Sequence, residues 1–333
     1  MGARPGVTAT PELSVILVTP DRYDTIRRTV SWLGAQTVRD VIELVIVASS
    51  RDGLDLDERE LEGFHGFHVV EVDTVRSVAA GNAAGVRTAS APVVVFAEDH
   101  SYPQPGWAEA LIAAHREPWA AVGPVVANAN PRGAVSWADF LPGYGPWLDP
   151  TPSGEVSYLP GHNSSYKRDV LLGLGADLDP MLNAESVLHR ELQARGHRLY
   201  LESKAKTRHF NFSRLSVYLR ATFLHARTFA AERARGGRWG PLRKLAYAGA
   251  WPLIPLVRAR RVLRDLRRAR EHGVFPRVVP PVALGLTVSA LGEATGYLFG
   301  PGDAPERVSA YEFHRDRHVT RLDRAEMASA VPL

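Results

Sequence analysis

The sequence contains no cysteine. Disulfides and thiolate metal sites are excluded, so any bound metal must use carboxylate, imidazole, carbonyl or water ligands. The absence agrees with a reducing cytoplasm. Two phosphate-binding signatures are missing as well. No GxGxxG follows the first apolar run and no GxxxxGK[ST] occurs, so neither a dinucleotide-binding fold nor a P-loop is supported. Residues 1–11 include Arg4 but no apolar core segment, which argues against a secretory signal and reads as a disordered N-terminus. Acidic residues are scarce only in the rear. Residues 201–333 carry 24 Lys+Arg against 11 Asp+Glu, whereas residues 1–200 carry 16 against 25. An acidic front half argues against nucleic-acid binding, and a basic rear half suits an anionic surface.

What is present is a chain long enough, at 333 residues and 45% hydrophobic, for one large or two ordinary domains with a real core. Leu13–Val18, Val41–Val47, Phe67–Val72 and Val93–Ala97 are short apolar runs that read as buried strands. Between them, Asp24 through Ala35 and Val78–Thr88 read as helices, the first capped by Asp24. Trp107–Arg116 is a further helix and Ala120–Ala127 a further strand. Strands alternating with helices predict an α/β fold, Rossmann-like, with a mostly parallel sheet and helices on both faces. Ligand is expected at the carboxyl ends of the strands, near Thr19, Ser49 and Glu98.

The most informative of those ends is Glu98-Asp99-His100, followed by Pro103 and Pro105. Two carboxylates and an imidazole there can hold a divalent cation, Mn2+ or Mg2+, against a diphosphate. The competing reading is a strand that ends in a solvated polar turn. Asn128–Gly154 is a long Pro/Gly/Trp-rich excursion of the kind that forms a lid or binding loop. Within it Trp137, Tyr144 and Trp147 can either stack on a sugar ring or anchor the loop by burial. In the turn Leu159–Arg168, Gly161 permits close backbone approach and His162 and Asn163 can bind hydroxyls, unless the turn only introduces a helix capped by Asp169. Asn183–Gly196 is an amphipathic helix with Glu185 in its first turn, where a carboxylate can serve as a general base or simply meet the helix dipole. Leu199–Leu201 reads as the last strand and Lys204–Asn211 as a basic loop containing His209.

In this order the features resemble family 2 glycosyltransferases of the GT-A fold, over residues 12–212. The resemblance rests on Leu13–Val18 with Thr19-Pro20-Asp21, on Gly81-Asn82-Ala-Ala-Gly85, on the acidic strand end, on Pro160–Tyr166, and on Glu185 with Arg195-Gly-His-Arg198. It implies that Thr19, Pro20, Asp21, Ser49, Asn82, Glu98 and Asp99 line the donor site. It also implies that Gly161, His162, Asn163 and Trp147 meet the acceptor, and that Glu185 is the catalytic base. Glu98-Asp99-His100 looks like the DxD-type motif and His209 like the late histidine that completes the metal site, giving Asp99, His100 and His209 as ligands. The triplet departs from DxD, so coordination could use Asp99 alone or Glu98 with His100. Ala48-Ser49-Ser50 stands where the family places a base-reading Asp, and Ala184-Glu185 where Glu-Asp is common. The implied reaction is inverting sugar transfer from a nucleotide-sugar donor to an acceptor hydroxyl.

Behind this catalytic region, residues 213–300 read as helical and apolar as well as basic. Arg238–Arg277 holds 11 Lys+Arg against Asp265 and Glu271, with Leu and Val interleaved among Arg260, Arg261, Arg264, Arg267 and Arg268. Such a helix suits an anionic bilayer surface. Val278–Phe299 has only Glu293 charged, but Pro280-Pro281 and three glycines favour a re-entrant or interfacial hairpin over a clean span. The resemblance points the same way, to a lipid-linked or polysaccharide acceptor at the cytoplasmic face of the inner membrane, with 238–299 as the peripheral or monotopic anchor. The competing reading is a soluble helical subdomain. Residues 301–333 read as a polar tail, frayed at Ala325–Leu333. Two further functions compete with transfer: a sugar nucleotidyltransferase, and a catalytically silent domain serving as a membrane scaffold.

Overall fold

The computed structural model describes residues 10–75, 77–269, 273 and 275–332. Residues 1–9, Arg270 and Glu271 lie outside the described residues, as do the side chains of Leu263, Leu266, Arg267 and Arg268.

Four apolar runs form parallel strands, β1 (Leu13–Val18), β2 (Ile42–Ala48), β3 (Gly66–Glu71) and β4 (Val93–Ala97), in the order β3-β2-β1-β4. Every residue of β1, β2 and β4 is buried because helices cover both faces. Successive residues of β1 enter opposite cores. Leu13, Val15 and Leu17 pack with Ile26, Val30 and Leu33 beside α1 (Arg27–Gly34), while Ile16 and Val18 pack with Ala79, Ala83 and Val86 of α2 (Val78–Thr88). Gly81 and Gly85 set that second contact. A Cβ at Gly81 would lie 2.6 Å from Val18, so only glycine lets α2 approach β1 so closely.

Past β4 the sheet becomes mixed, with β5 (Ser101–Pro103), β6 (Ala121–Asn128), β7 (Gly154–Val156), β8 (Ser165–Lys167) and β9 (Leu199–His209). Strand β8 is antiparallel to both β4 and β6, and β9 runs parallel to β6 but antiparallel to β5 and β7. The expected mostly parallel order stops at β4. β8 enters the sheet from a loop rather than from a crossover helix, so it returns in the opposite sense.

Several local expectations change. The last strand does not end at Leu201. Pairing slips between Pro124 and Val125 and then continues to His209, with Ala205, Thr207 and His209 turned inward in place of the expected basic loop. The excursion 128–154 contains the helix α4 (Ala134–Tyr144), with Pro142 inside its last turn. Asp24 does not cap the helix, whose N-cap is Ile26; it lies within a 3-10 turn at Tyr23–Thr25 and pairs with Arg27. The helix expected to start at Asp169 begins at Arg168 without a side-chain cap. On the sheet faces lie α3 (Trp107–Ala114) and α5 (Glu185–Ala194).

The rear third is helical: α6 (Leu215–Gly236), α7 (Pro241–Gly249), α8 (Leu253–Ala269) and α9 (Val279–Phe299). Helix α9 is continuous, so the expected hairpin does not form. Pro280 and Pro281 sit in its first turn, where their missing N–H groups cost no hydrogen bond. Among the described residues it is the one helix long and apolar enough to cross a bilayer, and half of it is buried within the protein. Its three glycines face α6, where Gly285 meets Tyr218, Gly292 the Phe223 carbonyl and Gly296 the Arg227 carbonyl. Glu293 is buried and pairs with Arg258.

The tail is not loose. It folds into α10 (Ala304–Glu312), a 3-10 turn at Arg315–His318 and α11 (Arg321–Ser329), which is capped by Thr320. Phe313 is buried in the core beneath α2, and Met327 packs with Trp32, Tyr102 and Phe210. The expected fraying at Ala325–Leu333 therefore gives way to a docked helix over most of that segment.

A methyl group at Gly292 meets backbone rather than a flexible side chain, so Gly292→Ala is expected to destabilise the protein by about 1–3 kcal/mol. Urea unfolding of the variant beside wild type measures this, and an unchanged midpoint would contradict the close α6–α9 contact.

Candidate active site

The carboxyl end of β4 delivers Glu98, Asp99 and His100 to the edge of the sheet, where three other segments converge. His162 comes from the turn before β8, His209 from the end of β9, and Glu312 from the end of α10. Glu98 is the centre of the group. Its Oε2 lies 3.4 Å from His100 Nε2, 3.5 Å from His162 Nδ1 and 3.7 Å from His209 Nε2. Glu312 Oε2 is 3.5 Å from His100 Nε2. Glu98 with His162 and His209, and Glu98 with His100 and Glu312, each bring one ligand atom per residue within 4.8 Å of one another.

The electrostatics suit a cation. Glu98 Oε2 is buried without a hydrogen-bond partner, and so is His162 Nε2. Burial, with Glu312 nearby, raises Glu98 well above the usual carboxylate range. Burial likewise lowers His100 and pushes His162 down to about 3. His209, buried beside His162 and His100, lies well below the ordinary imidazole value. All three rings are neutral at physiological pH, the form that ligates metal. His209 is oriented from behind, since its Nδ1 lies 2.8 Å from Asn211 Oδ1, and Asn211 Nδ2 donates to Asn128 Oδ1 at 3.0 Å. That network presents Nε2 to Glu98. Carboxylate and imidazole donors around an unpartnered oxygen therefore fit a divalent metal.

Asp99 occupies a different position from the one the motif suggested. Its Oδ1 lies 2.5 Å from His100 Nδ1, and its Oδ2 accepts the His314 backbone N–H at 2.9 Å. Both oxygens are engaged, and Glu98 faces the cluster instead. His162, expected at acceptor hydroxyls, points into the same cluster. Asn163 is wholly buried at φ 52°, donating its amide to Ser101 Oγ and its N–H to the Phe96 carbonyl, so it pins the turn to β4. Trp147 is buried too and donates Nε1–H to the Tyr158 carbonyl, the anchoring role rather than the stacking one. The aromatic residue that does reach the cluster is Tyr144, whose hydroxyl is 3.2 Å from His162 Nδ1 and 3.3 Å from His209 Nε2.

On the donor side, Thr19 is buried and donates its hydroxyl to the Arg22 carbonyl, Pro20 follows it at the rim, and Ser49 is exposed after β2. Asp21 Oδ2 lies 2.8 Å from His314 Nε2. Asn82 is buried with Oδ1 unpartnered. Glu185 opens α5 directly against Gly161, where a Cβ would lie 2.7 Å from the Glu185 carboxyl carbon. Burial raises Glu185 above the usual carboxylate value. The backbone freedom expected of Gly161 thus gives room to the carboxylate.

Sequence reasoning missed Glu312, His314 and Arg315. Arg315 is 2% exposed, pairs with Glu312, lies 2.8 Å from His100 Nε2 and stacks 3.7 Å above the Phe212 ring. The signal available was the run Glu312-Phe-His-Arg-Asp-Arg-His318, dense in charge and imidazole around one apolar residue.

Residues 14–175 match the profile described as glycosyl transferase family 2. The front half of this chain is a family 2 glycosyltransferase domain. Among solved structures, the enzyme is similar to the mannosyltransferase PcManGT from Pyrobaculum calidifontis, solved with GDP-Man and Mn2+, at TM-score 0.53 and 16% identity over 89% of each chain. That likeness shows a shared fold. It is also similar to GalNAc-T7, solved with UDP, GalNAc and Mn2+, at TM-score 0.45 and 12% identity over 60% of this chain and 43% of the other, and nothing rests on that likeness. No curated protein matches the sequence. The candidate site extends beyond the matched segment, because His209, Glu312 and Arg315 all follow residue 175.

Gly161→Ala is expected to leave the protein folded while pushing the flexible Glu185 carboxylate aside. A misplacement of about 1 Å costs on the order of 100-fold in turnover. Steady-state kinetics and a melting curve on the same sample separate the two effects, and full activity in the variant would remove Glu185 from the reaction.

Proposed function

We propose that the enzyme transfers a sugar, with inversion, from a nucleotide-sugar donor to a hydroxyl of a lipid-linked or polysaccharide acceptor. The observation that carries this reading is the adjacency, through Gly161-His162, of the unpartnered Glu98 cluster and the raised Glu185 carboxylate. Glu98, His162 and His209 would hold a divalent cation, which when bound neutralises negative charge on a diphosphate, while His100 Nε2 and Glu312 are engaged by Arg315. A set rich in imidazole favours Mn2+ over the harder Mg2+, and the PcManGT structure, which contains Mn2+, agrees. Thr19, Pro20, Asp21, Ser49 and Asn82 would line the nucleotide side.

Glu185 is the general base. Burial raises its pKa, which makes it a better proton acceptor than an exposed carboxylate. The acceptor oxygen forms its bond to the anomeric carbon as the carbon–oxygen bond to the diphosphate breaks, and the acceptor proton passes to Glu185. One displacement inverts the configuration, and the nucleoside diphosphate leaves.

The direct test is calorimetric titration of UDP and of GDP, with and without Mn2+, into wild type and Glu98→Gln. One of the two is expected to bind wild type only with Mn2+, and Glu98→Gln is expected to weaken that binding on the order of 100-fold, since even outer partners of a metal site are worth 10–100-fold. Binding of neither nucleotide to wild type would reject the donor site.

The acceptor side of the proposal places the enzyme on the cytoplasmic face of the inner membrane, docked through 238–299. Leu242, Leu245, Leu253, Leu256 and Val257 are exposed on α7 and α8, and Arg243, Arg260, Arg261 and Arg264 are exposed beside them. Apolar side chains ringed by arginine suit insertion into an anionic headgroup layer. Flotation with vesicles containing phosphatidylglycerol checks this. Leu242→Glu with Leu256→Glu is expected to leave the protein in the unbound fraction, and continued flotation of that variant would reject the surface.

A further inference from the structure

The segment that closes the site comes from the far end of the chain, and it brings the site's buried cation. His314 adopts a left-handed backbone at φ 54°, a conformation uncommon for a side-chain-bearing residue. Its N–H is given to Asp99 Oδ2 and its ring to Asp21. This double tie presses the next residue, Arg315, inward between Glu312, His100 and Phe212.

Arg315 has less to hold than its chemistry allows. A guanidinium offers five donors, yet its Nε is buried without a hydrogen-bond partner. Across the same cluster, Glu98 Oε2 is buried without one as well. An orphaned donor on a cation and an orphaned acceptor on a carboxylate, each costly to bury alone, lie in one cluster where each feels the other's charge. A ligand that satisfies both must carry positive charge toward Glu98 and anionic oxygens toward Arg315. A metal–diphosphate has that polarity, and a planar guanidinium matches phosphate oxygens in pairs.

We propose that Arg315 binds the diphosphate of the sugar donor, so that the C-terminal segment completes the donor site. This rests on the nucleotide-sugar reading above and adds a residue outside the matched family segment. In the free protein Glu312 holds the guanidinium beside His100, and the His314 ties and the Phe212 ring keep its plane fixed.

The test exploits the phosphate that Arg315 reaches. Full-length wild type, Arg315→Met and Arg315→Lys are titrated with UDP, UMP, GDP and GMP in the presence of Mn2+, beside melting curves. For the diphosphate that wild type binds, Arg315→Met is expected to weaken affinity about 10- to 100-fold, the range for hydrogen bonds to a charged group. The matching monophosphate is expected to change less than about twofold on the same energy scale. Arg315→Met leaves Glu312 unpaired and can unfold the tail. Arg315→Lys keeps the charge but loses the paired donors, so it must still show a selective loss of diphosphate affinity. Equal losses for diphosphate and monophosphate, or an Arg315→Lys variant with unchanged diphosphate affinity, overturn the inference and leave the donor reading standing. A wild type that binds neither diphosphate overturns both.

Discussion

A carboxylate oxygen buried without a hydrogen-bond partner is costly, and most of this molecule is arranged so that one can persist. Glu98 Oε2 sits where β4 leaves the sheet, buried among side chains brought in by three other segments. Around it stand imidazoles that burial keeps neutral and one arginine with a free donor. Unsatisfied polar atoms of this kind are rare in folded proteins, and they concentrate where a ligand is to supply the missing partner. The unpaired oxygen is therefore a sign of function rather than of poor packing.

The supports of that oxygen are drawn from distant parts of the fold. Asn163 fixes the His162 turn to β4, Asn211 and Asn128 fix the His209 ring, and Gly161 admits Glu185. The tail ties Asp99 and Asp21 to His314. None of these contacts has to react with anything. Each limits the rotamers of a group in the candidate site, and geometry held in this way in advance is what an active site requires.

Legibility in the sequence followed the range of the interaction. Strands β1, β2 and β4 could be read because strands buried on both faces leave continuous apolar runs, and α2 because its start and end are marked locally. The acidic end of β4 and the carboxylate at the start of α5 were visible for the same reason. The antiparallel insertion of β8 and the length of β9 were not, since three residues carry no period and β9 alternates basic with small residues. The position of Asp99 was not legible because Glu98 and Asp99 are adjacent, and only packing decides which carboxylate faces the three imidazoles. The tail was least legible. Asp99 and His314 are 215 positions apart, as are His100 and Arg315, and nothing local to Glu312 or Arg315 records their neighbours.

That separation has a consequence in time. Protein is made from its N-terminus, at about 5–20 residues per second, and domains fold as they emerge. The sheet and Glu185 can assemble while the rest of the chain is still being made. Glu312 and Arg315 join only after the helices of the rear third are out. A ribosome that stalls before residue 312 therefore releases a product with its sheet in place but with neither Glu312 nor Arg315 beside Glu98.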